Sequence, residues 1–210
     1  MVAVTRAERL RGAILGQFVG DALCLGSHWY YNFLDRNRIY PDGIKGFERP
    51  VPGHYHAARA PGQQTHYGDA ALVLLRSVAE RGGLDPVDYG RRFVELFGDP
   101  AYPGYLDKPT RLTLEHWRDW RAAHPDGTPE EYGFQDGGDD EQNVTTSRLA
   151  PVAVRYADTP ELDTAVERAV RVCQNNANAV LHAQVHARVL ERLFRGEPLE
   201  AALDAVIGAL

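Results

Sequence analysis

TRAERLRGAILGQFVGDALCL, residues 5–25, decides the fold class. Its apolar residues recur every three to four positions, the period of an amphipathic α-helix. Thr5 precedes the run and Glu8 follows three residues later, the spacing of a capping box. The same period returns along the chain. It predicts helices over residues 70–81, ended by Gly82-Gly83, and over 85–97, with Asp85 as cap and Pro86 in the first turn. Further helical patterns cover 107–123, 145–156 with a break near Pro151, and 159–173 behind a Thr159 cap and Pro160. Others cover 177–194, ended by Gly196, and 199–210. Alternating β-branched runs joined by tight turns are missing, so the chain reads as all-α.

Composition agrees with one folded domain over residues 1–210. Of the residues, 44% are apolar and 25% charged, which excludes a disordered chain. A length of 210 residues suits a single core. Lys plus Arg number 23 against 29 Asp plus Glu, a net charge of −6, which argues against nucleic acid as a partner. Two cysteines, Cys24 and Cys173, do not make a disulfide framework. With neither a secretion signal nor a membrane-length apolar run in view, a soluble cytoplasmic protein without a membrane partner is expected.

Two irregular stretches, residues 31–67 and 124–143, are longer than loops usually are, and are expected to shape a cleft at one end of the helices. Gly12, Gly16 and Gly20 share one face of the first helix and are expected to let a neighbouring helix approach closely, with a ligand as the alternative. Asp21 follows them inside an apolar run, where a carboxylate needs a partner. It either accepts N–H groups from another helix end or organises a site. Asp69 opens the second helix, as a first-turn anion favoured by the helix end or as an oxygen ligand to a hard divalent cation. Asp136-Gly-Gly-Asp139-Asp140-Glu141 reads as a solvated turn, with cation capture as the sharper alternative. The pairs His54/His56 and His182/His186 read as structural histidines rather than zinc ligands, and Trp117 with Trp120 as core.

Several segments together resemble the ADP-ribosylglycohydrolase family, which includes crystallins of the jellyfish J1 type. They are Arg11-Gly-Ala-Ile-Leu-Gly16 with Gly20-Asp-Ala-Leu23, Thr65-His-Tyr-Gly-Asp69, and Tyr102-Pro-Gly-Tyr105. Asp139-Asp140 with Arg148-Leu-Ala-Pro151, and Asn175-Asn176 before a long helix, complete the set. The resemblance implies an orthogonal helical bundle and hydrolysis of a glycosidic bond to ADP-ribose, with magnesium ions in a cleft acting as Lewis acids. It implies Asp69 and Asp140 as catalytic residues, with Asp69 also a metal ligand. Asp21, His28, His66, Tyr67, Gly68 and Asp139 are the implied substrate contacts, and the ligand is ADP-ribose or an ADP-ribosylated acceptor.

The sequence departs from the family pattern at three points. Gly68-Asp69-Ala70 stands where the family has Thr-Asp-Asp, and His28 stands where an acidic residue is usual. The later Asp-x-Asp-Thr run is missing before Leu210, so a C-terminally shortened member is expected. These departures set a hydrolase with an altered metal site against a non-catalytic member that binds an ADP-ribose-like ligand or serves a structural role.

Overall fold

The computed structural model describes residues 4–209, so the last position of the expected final helix, Leu210, lies outside the described residues. Helix α1 (Arg6–Cys24) starts as its capping box dictates: Thr5 accepts from the Glu8 amide, and Glu8 accepts from the Thr5 amide. The remaining helices are α2 (Phe33–Ile39), α3 (His66–Arg81), α4 (Pro86–Phe97), α5 (Lys108–Ala123) and α6 (Pro129–Tyr132). They continue with α7 (Ala150–Tyr156), α8 (Leu162–Arg171), α9 (Ala177–Arg195) and α10 (Leu199–Ile207). A 3₁₀ turn, Thr145–Arg148, precedes α7. No strand occurs among the described residues, so the protein is all-α. None of the described helices is long and apolar enough to cross a membrane.

The core forms where α3, α4, α7, α8 and α9 meet. Leu74, Tyr89, Phe93, Val152, Val166 and Val170 are fully enclosed there. Ala179, Ala183 and Ala187 form the inward stripe of α9, and these small side chains let α8 lie close against it. The short helix α7 is central and packs against α1, α3, α8 and α9. Trp117 stacks on Trp120, with ring centroids 5.6 Å apart, and also on Phe134 at the edge of the core.

Four local expectations are corrected. Helix α3 starts four residues early, because Thr65 accepts from the Tyr67 amide and caps it there. Thr159 caps nothing: its hydroxyl donates to the Tyr156 carbonyl, and α8 begins only at Leu162. The two irregular stretches hold α2, capped by Asn32, and α6, whose Thr128 and Glu131 form a second capping box. The glycine face of α1 meets no helix; a Cβ added at Gly12, Gly16 or Gly20 would touch nothing within 4 Å.

Asp85 caps α4 by accepting from the amides of Val87 and Asp88 at 3.0 and 3.1 Å. Asp85→Ala is expected to cost about 1 kcal/mol in urea unfolding, and Asp85→Asn almost nothing. Equal losses would mean that the carboxylate acts by charge and not by capping.

Candidate functional site

The start of α3 gathers the first group of candidate residues. Both oxygens of Asp21 are used by Thr65: Oδ2 accepts from its amide at 2.7 Å and Oδ1 from its hydroxyl at 2.5 Å. Asp21 therefore holds the cap that holds α3. Burial raises its pKa most; the Thr65 bonds and His66 oppose this, and the nearby Asp69 charge adds to it. Gly68 is required here, since a Cβ would lie 2.4 Å from Asp21 Oδ2 and 2.2 Å from Gln64 Oε1.

Asp69 faces the irregular segment that precedes α3. Arg59 donates to its Oδ2 at 2.5 Å, and the Tyr102 hydroxyl donates to the same oxygen at 2.7 Å. Arg59 also reaches the Tyr102 oxygen at 3.2 Å, with its guanidinium carbon 5.4 Å from the ring centroid. Burial is the main cause that raises the Tyr102 pKa, and the Asp69 charge adds to it, so the phenol keeps its proton as a donor.

His28, His56, His66 and Tyr67 stand together beside this pair. The ring centroids of His28 lie 5.4 Å from His56 and 6.5 Å from His66, and His66 lies 3.9 Å from Tyr67. His56 is 1% exposed, and neither of its ring nitrogens has a hydrogen-bond partner. Burial first, then the neighbouring histidines, bring the His28 pKa down to about 4 and that of His56 to about 3. His66 Nε2 lies 3.5 Å from Asp107 Oδ2. Burial alone would raise the Asp107 pKa, but His66, the Arg148 charge and the Thr110 side chain outweigh it and bring it to about 2.

Asp139 and Asp140 are held elsewhere. Asp140, nearly enclosed, pairs with Lys108 at 2.9 Å, and Asp139 accepts from Asn176 at 2.8 Å. The acidic loop is also no free turn. The Gly137 amide donates to the Arg171 carbonyl, and the Asn175 amide donates to Gly138. The magnesium implied by the resemblance does not fit this donor set. Each candidate carboxylate already has its partner, and no three His, Cys, Asp or Glu side chains among the described residues gather as a metal requires.

A cleft of about 350 Å³ opens over the histidines, lined by Trp29, Tyr31, Tyr55, Tyr67 and Tyr105 with Asp107, Lys108, Arg111 and Gln142. The centroids of Trp29, Tyr55 and Tyr105 stand 4.9 to 5.1 Å apart, edge to face. Trp29 is fixed in a left-handed conformation with φ of 64°, a strained state for a bulky residue. A larger groove of about 520 Å³ runs along the glycine face of α1 and reaches Asp21 and His28. It is mainly apolar and offers no cation.

Sequence reasoning missed Arg59, Trp29, Tyr55, Lys108 and Arg111. Asp107 was legible only as a helix start, and Tyr102 and Tyr105 only as part of a family-like segment. Arg59, Trp29 and Tyr55 lie outside any helix, where no periodicity marks which side chains face inward.

Comparison with known proteins agrees with the fold. The profile of the ADP-ribosylglycohydrolase family matches residues 3–210. Crystallin J1A of Tripedalia cystophora is 29% identical over 203 residues, covering 92% of this chain and 61% of that protein. Crystallin J1B of the same animal is 28% identical over 194 residues, covering 88% and 58%. A solved chain described as an ADP-ribosylglycohydrolase-related protein complex superimposes with a TM-score of 0.70 at 29% identity, over 97% of this chain and 62% of that one. The chain thus spans about three fifths of the length of these relatives. By this match and by its helical architecture, the chain belongs to the ADP-ribosylglycohydrolase family.

Proposed function

We propose that the protein binds an ADP-ribose-class ligand in the aromatic cleft, and does so without hydrolysing it. The observation that carries this reading is the pairing of aromatic rings with two cations in one opening. Tyr31 and Tyr55 are 81% and 61% exposed, so their faces are free to take a base. Stacking a base on such rings contributes about 1–3 kcal/mol. Arg111 supplies positive charge for a diphosphate, its planar fork suiting phosphate oxygens, and Lys108 joins it by exchanging the Asp140 carboxylate for a phosphate oxygen. Hydrolysis with magnesium, the activity implied by the resemblance, needs several unshared carboxylates. Asp69 and Asp140 are each held by a cation instead. Cys24 and Cys173 are both free thiols, in keeping with the reducing cytoplasm that we assign as the compartment.

Calorimetry with ADP-ribose in the presence of a chelator tests the reading. Binding is expected, and the double substitution Lys108→Gln with Arg111→Gln is expected to weaken it at least tenfold, about 1.4 kcal/mol. Added salt should weaken the wild type more than the double variant. No binding would overturn the ligand assignment and leave a structural role, of the kind suggested by the names of the crystallin relatives. Steady release of ADP-ribose from an ADP-ribosylated arginine or serine peptide would overturn the absence of turnover.

A further inference from the structure

We propose that Arg59 is the resident cation of the Asp69 site, a tethered guanidinium in the place where the family resemblance implied a divalent ion. Three observations support it independently of the aromatic cleft. Arg59 and Asp69 are enclosed, with their side chains 11% and 17% exposed, and meet at 2.5 Å. The Tyr102 hydroxyl donates to the same Asp69 oxygen, which is therefore already served by two donors. Ala70, at the position of the family's second carboxylate, is fully enclosed in the core and brings no oxygen to the site.

Charge and geometry both follow. One aspartate faces one guanidinium, so the pair is neutral, whereas a divalent ion here would remain under-compensated. Magnesium demands near-octahedral oxygen donors, and the oxygen that touches Asp69 Oδ2 is the protonated Tyr102 phenol, which donates rather than ligates. A guanidinium needs only the planar fork it carries and an aromatic face to rest on, and Tyr102 supplies that face. The cation arrives on the irregular segment before α3, so it also ties that segment to the helix. The inference extends the metal-free reading above to a named residue, but its test needs no ADP-ribose.

Titration of the wild-type protein with Mn²⁺, followed by the loss of the free-ion electron paramagnetic resonance signal, is expected to show no binding. Mn²⁺ binding that Asp69→Asn removes would overturn the proposal, and this measurement needs no other variant to fold. Thermal unfolding of Arg59→Met, Asp69→Asn and the double variant gives the second arm. Arg59→Met is expected to lower Tm by about 5 °C, because it strands Asp69 without a partner. The double variant should melt no lower than Arg59→Met, since neutral Asn needs no cation. Additive losses in Tm would overturn the proposal, because they would mean that the two residues do not answer one another.

Discussion

Asp107→Ala is expected to lower the unfolding free energy by about 2 kcal/mol, and Asp107→Asn by about half of that. Asp107 does two jobs. Its Oδ1 accepts from the Thr110 amide at 2.9 Å and so caps α5, a role that asparagine can keep and that is worth about 1 kcal/mol. It is also the buried anion whose pKa the Arg148 charge helps to lower. Arg148 is 2% exposed, sits over the Phe93 ring and donates to the sulfur of Cys173 at 3.2 Å. That thiol is no counter-ion, because burial raises its pKa and keeps it neutral. Removing the Asp107 charge therefore takes from the enclosed Arg148 guanidinium an anion that offsets it through space, and from His66 the carboxylate 3.5 Å away. Urea midpoints of the two variants check this. An Asp107→Asn protein as stable as the wild type would show that Arg148 has no need of the carboxylate.

The second large effect is a loss of stability in mild acid. His28 and His56 have folded-state pKa values of about 4 and about 3, below the ordinary value of 6.5. The unfolded chain therefore takes up protons first as pH falls, and stability drops from about pH 6.5 downward until the folded values are reached. At pH 5 each group costs close to 2 kcal/mol by the linkage relation. His28 is only partly enclosed, so about 3 kcal/mol is the expected total between pH 7.5 and 5. Asp107, with its depressed pKa, adds its own loss only below about pH 4, as pH falls from the unfolded carboxylate value toward 2. Asp21, whose pKa is raised, works in the opposite direction and returns a little stability on acidification. Denaturation free energies across this range should show the slope, and His56→Phe should remove about half of it. A flat profile from pH 7.5 to 5 would mean that the histidines carry ordinary pKa values.

The helices were legible where local rules act alone. The capping box of Thr5 and Glu8, the Asp85-Pro86 start and the Gly196 stop each operate within one turn, and each stands as expected. Thr159 misled because Tyr156 offered its hydroxyl a nearer carbonyl. Helix α2 was missed because only Asn32 announces it, within a stretch rich in Tyr, Arg and Pro. The candidate carboxylates could be picked out by type, but not their partners. Asp21 finds Thr65 across 44 positions, and Asp140 finds Lys108 across 32. Such pairings depend on how the helices pack, which no window of sequence contains. Gly68 is the clearest case. In the sequence it is only a departure from the family's threonine, and it proves to be the space that Asp21 and Gln64 need.

Trp29, Tyr31, Tyr55 and Tyr105 all lie between helices, whereas the enclosed core belongs largely to the helices themselves. Insertions and exchanges in connecting segments are tolerated far better than changes in a packed interior. On the proposed reading, the aromatic share of ligand preference and the packed core are thereby written largely in separate parts of the chain. A laboratory that grafted new connecting segments onto α3 and α5 would redesign what the scaffold carries while leaving intact the machinery that lets it fold.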